Sequence, residues 1–267
     1  MNTFRITKIK DSVYGVLDEI EASFYIVKGS EKTAVIDTGM SPGKNILPVV
    51  RSLTDQPLFL VLTHAHPDHF YHMGEFDEVY LCHEELKLED SSVTDLLKEK
   101  NLNLEDTKNI RTGDVLSLGD RGLEVFEVPG HSPGSVVFYD AADKLLFTGD
   151  AVGSGSGSWM HIPGALTLDV YLESLKSLQK WLVLQGGDMR FCCGHDRQKF
   201  ESLVMTGYNP VSLGQLADLI DLVDGVIQGE IVGRESSVEI GAGLDPVFYA
   251  SYGRAELQYL PEKIHRK

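Results

Sequence analysis

The apolar run Leu58-Phe59-Leu60-Val61-Leu62 leads directly into Thr63-His64-Ala65-His66-Pro67-Asp68-His69, and no other stretch restricts the fold as tightly. A short apolar run bounded by Pro57 and Pro67 reads as a buried strand, which puts the histidine-rich turn at the strand's C-terminal end. That end is where open α/β sheets collect their functional groups. Three imidazoles and a carboxylate so close together make poor core material, because each would be desolvated for no gain. A divalent metal accounts for them. Alternation sends His64 and His66 to one side of the extended turn, and Asp68 and His69, one step further on, can reach a second ion nearby. The competing explanation is a solvated polar turn whose histidines satisfy backbone carbonyls.

Three more strand ends carry the same kinds of residue. Leu123 to Val128 is followed by Pro129-Gly130-His131-Ser132-Pro133-Gly134, whose glycines let the turn fold tightly and aim His131 back over the sheet edge. Leu145-Leu146-Phe147-Thr148-Gly149 ends in Asp150, and Arg190-Phe191-Cys192-Cys193-Gly194 ends in His195. Repetition makes this informative, since ligand residues could as well have fallen at strand starts or on helix faces. Cys192 and Cys193 read as strand packing, because small buried cysteines behave as apolar residues. Asp37, after Ala34-Val35-Ile36, is either a turn residue or a group that orients the metal-binding turn.

Elsewhere the chain alternates as a β-meander from Phe4 to Ile36, with a helix near Gly43 to Leu53 and a short one at Phe70 to Gly74. Tyr71 and His72 on that short helix face either the pocket or the opposite side. An acidic stretch from Glu84 to about Lys100 reads as a solvated helical cover. Arg111 to Val128 gives two strands around Gly119 to Gly122. Gly153 to Pro163 reads as an active-site rim, in which Trp159, Met160 and His161 form a wall with one polar contact or Trp159 anchors a surface loop. An amphipathic helix covers Leu168 to Leu182; helical sequence continues from His195 to about Met205, then a turn at Gly207 to Pro210. Leu213 to Ile227 is helical and Val247 to Leu260 strand-like. The organisation expected is one domain over residues 1–267, with a core to about 206 and a helical and strand extension over 207–267.

A net charge of −16 disfavours nucleic acid and anionic membranes as partners. A metal cluster could still draw an anionic small molecule, and a tyrosine-rich C-terminal segment suits a homodimer. Three cysteines, two of them adjacent, fit a reducing compartment, and no apolar stretch is long enough to span a membrane; the expected location is cytoplasmic.

Together these motifs resemble the metallo-β-lactamase fold superfamily: Ile36-Asp37-Thr38-Gly39, a complete His-x-His-x-Asp-His in His64, His66, Asp68 and His69, then His131, Asp150 and His195 in order. The resemblance implies an αββα sandwich. It also implies one metal on His64, His66 and His131, another on Asp68, His69 and His195, and Asp150 bridging the two. The bridging Asp150 looks more like hydroxyacylglutathione hydrolases, lactonases and phosphodiesterases than true β-lactamases. The expected activity is hydrolysis of a small ester, thioester, lactone or phosphodiester by a metal-bridging hydroxide, with Asp68 and Asp150 in catalytic roles. Two divalent ions are expected, zinc by default, with iron or manganese as other candidates. His161 and Tyr71 are candidate general acids. The alternative function is an iron-dependent oxidoreductase resembling persulfide dioxygenases.

Overall fold

In the computed structural model the described residues are 4–154, 157–195, 198–199, 204–205, 211–236 and 246–266. The chain opens as an antiparallel meander, β1 (Arg5–Lys10), β2 (Val13–Leu17), β3 (Ser23–Lys28) and β4 (Thr33–Ile36). It then crosses through α1 (Leu47–Arg51) to β5 (Leu58–Val61), through α2 (Pro67–Phe70) to β6 (Val79–Leu81), and through α3 (Ser91–Lys100) to β7 (Lys108–Asn109). From β4 onward neighbouring strands are parallel, completing a seven-stranded sheet in chain order.

A second sheet follows: β8 (Val115–Ser117), β9 (Gly122–Glu127), β10 (Val136–Asp140) and β11 (Leu145–Gly149). Strand β12 (Gly157–Met160) leaves it, α4 (Leu168–Leu184) crosses over, and β13 (Arg190–Cys193) returns parallel to β11, giving the order β13-β11-β10-β9-β8. Beyond it lie the short antiparallel pair β14 (Gln198–Lys199) and β15 (Val204–Met205), then α5 (Leu213–Gln228). A third sheet joins β12 to β16 (Arg234–Glu235), β17 (Phe248–Tyr252) and β18 (Ala255–Tyr259) in the order β12-β18-β17-β16.

Period-2 alternation gives each large sheet two apolar faces. Val27, Ile36 and Val61 of the first sheet meet Val125, Phe138 and Phe147 of the second in one buried cluster. The outer face of the first sheet, with Phe24, Ile26, Val35 and Leu60, is covered by Ile46, Val50, Phe70 and Val93 from the helical segments. The outer face of the second is covered by α4, α5 and β18. The four layers are therefore helix, sheet, sheet, helix, as the sequence resemblance implied, in a mixed α/β fold. Cys192 packs between the sheets and Cys193 on the outer side, one strand position apart. No helix among the described residues is long and apolar enough to cross a membrane.

Three expectations change. Residues 198–199 and 204–205 are paired strands rather than helix; a helix of about ten residues is marginal on its own. The proposed turn at Gly207 to Pro210 lies outside the described residues. The stretch from Glu84 to Lys100 is not one helix: a 3-10 turn at His83–Lys87 precedes α3, which starts anew where Asp90 caps the Ser92 N–H at 2.7 Å. The rim also contains a strand, since Gly157–Met160 finds a parallel partner in β18.

Helix α4 sets how close the second sheet's loops can come. It buries Leu168, Tyr171, Leu172, Leu175, Leu178 and Leu182, each worth about 1.5–3 kcal/mol on full burial of a large apolar side chain. Tyr171 donates its hydroxyl to the Ala151 carbonyl at 2.9 Å, and its ring lies where a Cβ on Gly130 would fall 2.2 Å from Cδ2. Glycine at 130 thus lets the His131 turn rest on the helix. Gly130→Ala is expected to cost about 1–3 kcal/mol of stability through overpacking, read as a lowered urea midpoint at unchanged slope.

Candidate metal centre

Parallel neighbours deliver their C-terminal ends side by side. Ile36 on β4 pairs with Val61 on β5, so Asp37 and the turn from Thr63 onward emerge together. Gly149 on β11 pairs with Cys193 on β13, so Asp150 and His195 emerge together from the other sheet. His131 enters from the turn between β9 and β10. All seven sequence-derived candidates, His64, His66, Asp68, His69, His131, Asp150 and His195, meet at this junction.

Three groupings have ligand-capable atoms within 4.8 Å of one another: His64, His66 and His131; His64, His69 and Asp150; and Asp68, His69 and His195. His66 Nδ1 lies 2.9 Å from His131 Nε2, and His195 Nε2 lies 3.0 Å from Asp68 Oδ2. Asp150 stands between the sets, with its carboxylate 3.8 Å from His131, 3.7 Å from His69 and 3.5 Å from His195. The donors fit an ion. The Nε2 atoms of His64, His66 and His69 and Asp150 Oδ1 are buried with no hydrogen-bond partner among the described residues, a costly state that coordination would relieve.

Charge divides the site in two. Burial lowers His64 well below the usual imidazole range, His66 to about 4 and His131 to about 3, leaving three neutral imidazoles suited to a cation. Burial also opposes charge on His69, but the carboxylates of Asp68, Asp37 and Asp150 outweigh it and raise this imidazole to about 10. His195 is raised likewise, against burial, mainly by Asp150 and Asp68.

Several groups hold the donors in place. Asp37 accepts from the Thr63 N–H at 2.8 Å and the Thr63 hydroxyl at 2.7 Å, and accepts a hydrogen bond from His69 Nδ1 at 2.9 Å. It does so at φ +59°, a left-handed backbone for a non-glycine residue, which marks strain kept at a site. His131 Nδ1 donates to the Trp159 carbonyl at 3.1 Å, turning Nε2 inward. Gly194 is glycine by necessity, since a Cβ there would sit 2.1 Å from Asp150 Oδ1.

Two further groups carry no local signal in the chain. Glu85, one carboxylate in an acidic stretch, is buried rather than solvated and ties the ligand turns together. It accepts from the Ala65 N–H at 2.8 Å on one turn, and from the Ser132 hydroxyl and the Gly134 N–H at 2.6 Å on the other. Ser154 donates its hydroxyl to Asp150 Oδ2.

Of the expected pocket residues, Trp159 lines a cavity of about 540 Å³ whose floor is His66, Asp68, His131, Asp150 and His195. The others do not. Alternation along β12 sends Met160 into the outer core, and His161 is buried beside Trp159. Tyr71 and His72 line a separate cleft of about 220 Å³, where Glu75 and the Ser41 N–H occupy the two His72 nitrogens. One turn of α2 has already rotated them away from the floor. His161 and Tyr71 are thus not placed to act as general acids.

Residues 17–195 match the family model described as "Metallo-beta-lactamase superfamily". An acyl-coenzyme A thioesterase, MBLAC2 of Bos taurus, is 34% identical over a 168-residue alignment that covers 51% of this chain and 60% of that protein. The chain thus spans about three fifths of the length of that thioesterase. The hydroxyacylglutathione hydrolase of Bartonella tribocorum is 27% identical over 181 residues, 68% of this chain and 64% of the enzyme. Among solved structures, a metallo-beta-lactamase from Pontibacter korlensis superposes with a TM-score of 0.58 at 21% identity, covering 82% of this chain and 99% of its own, a likeness of fold.

Glu85→Ala and Asp37→Ala are each expected to weaken zinc binding about 10- to 100-fold, since both act on ligand orientation. Competition against a chromophoric chelator, with circular dichroism confirming the fold, reads the loss.

Proposed function

The chain belongs to the metallo-beta-lactamase superfamily, and from that premise we propose that it is a dinuclear metal-dependent hydrolase that cleaves a thioester to a carboxylic acid and a thiol. In this reading His64, His66 and His131 hold one divalent ion, Asp68, His69 and His195 hold the other, and Asp150 serves both. When bound, such a pair lowers the pKa of a shared water and polarises the acyl oxygen. The single observation that carries the proposal is the set of buried, unpartnered donor atoms of His64, His66, His69 and Asp150 converging at one junction.

The chain's own residues account for the rest. Asp68, on the floor and the more open of the two floor carboxylates, accepts a hydrogen from the attacking water and so aims its lone pair at the acyl carbon. Burial opposes its ionisation, but His69 and His195 hold its pKa below the usual carboxylate range, so it is an acceptor at neutral pH. Asp150 is likewise kept ionised against burial, chiefly by His195 and His69. Ser154 fixes one of its oxygens. Among the described residues the cavity lining contains no lysine, arginine or tyrosine to protonate a departing alkoxide. A thiolate, whose conjugate acid has a pKa of about 8.5, leaves without such help. The names of two relatives, acyl-coenzyme A thioesterase and hydroxyacylglutathione hydrolase, both describe release of an acyl group.

Elemental analysis of the purified protein is expected to give two zinc ions per chain, and a thiol-trapping assay to show thioester hydrolysis that chelation abolishes and zinc restores. His66→Ala and Asp150→Ala are expected to lose all measurable turnover while keeping the native circular dichroism spectrum. Near-native turnover by either variant would overturn the assignment.

A further inference from the structure

Above its floor the cavity has two apolar walls built by different parts of the chain. Ile20 and Met40 form one, on the turns after β2 and β4; Trp159, Ile162 and Pro163 form the other. A single buried carboxylate holds the first wall. Asp18 Oδ1 accepts from the backbone N–H of Ile20 at 3.0 Å and Ala22 at 2.9 Å, and Oδ2 accepts from Met40 N–H at 2.6 Å. Gly39, at φ +67°, leaves no room for error, since a Cβ there would lie 2.7 Å from Asp18 Oδ2. Two turns distant in sequence are thus fixed to one anchor that belongs to neither the floor nor the core.

The lining carries a second message in its charges. Asp90 also lines the cavity, and among the described residues no cationic side chain does so apart from the floor histidines. Ile20 remains 44% exposed on a chain of net charge −16, an apolar side chain left open beside a buried polar floor. Such an arrangement gains free energy when an apolar group covers it.

We propose that this cleft is an acyl subsite that takes an unsubstituted, uncharged aliphatic chain and owes the shape of one wall to Asp18 as a positioning residue. The proposal rests on the thioesterase reading only for the orientation of the chain's carbonyl end toward the floor; occupancy of the cleft does not depend on it.

The two tryptophans allow a test by binding. Trp181 stacks on Phe126 at 4.9 Å, within the core, so Trp181→Phe leaves Trp159 as the reporter. Titrating this zinc-loaded variant with 1-butanol, 1-hexanol and 1-octanol is expected to shift Trp159 emission, with affinity rising about two- to fourfold per methylene. Ile20→Glu, at a solvent-facing position, and Asp18→Asn are expected to flatten the alcohol series and to raise KM for octanoyl thioester more than they change kcat. A flat alcohol series with thioester hydrolysis intact would overturn the acyl subsite and leave the hydrolase standing. A steep series in a protein that hydrolyses no thioester would overturn the hydrolase and leave the subsite.

Discussion

Gathering five imidazoles and four carboxylates at one junction removes them from water, and that cost governs how the surrounding chain is built. Protein partners repay part of it. Asp37 is satisfied by Thr63 and His69, and Glu85 by two backbone amides and a hydroxyl. What stays unpaid faces inward, on the atoms able to bind cations. The asymmetry between an all-imidazole side and a carboxylate-rich side follows from which strand ends supply each donor.

Strand geometry then does the positioning. Parallel neighbours lie about 4.8 Å apart, so β4 beside β5 and β11 beside β13 fix two pairs of strand-end residues with little freedom. The sheets face each other across a core of Val27, Ile36, Phe138 and Phe147, which brings the two pairs to a common site. Where the strand ends approach most closely the chain uses glycine: Gly149, at φ +48°, would bring a Cβ within 2.2 Å of Thr63 Oγ1, and Gly194 borders Asp150.

This division explains what could be read from the sequence. Strand-then-ligand segments at His64 to His69, His131, Asp150 and His195 are local patterns, and each survives as a local structure. The sandwich was legible through the same segments and their resemblance. Glu85 and Asp18 were not, because a buried carboxylate that serves distant backbone amides looks in sequence like any turn or surface acid. The pairing of Gly157–Met160 with Ala255–Tyr259 was hidden for a related reason: the partner strand lies beyond α5, and no local alternation records a parallel register between them. Tyr71 and His72 sat next to the motif in sequence, yet a single helical turn carried them to another cleft.

The floor sits on strand ends, whereas the walls sit on turns and at the margin of a small third sheet. Substitutions at Ile20, Met40 or Ile162 can reshape what the cavity admits without shifting any strand register that sets the donors. Chemistry and selectivity are therefore separable inheritances in this chain. A lineage can trade one preference for another through a handful of rim changes, each small enough to be tolerated alone, while the junction beneath stays as it is.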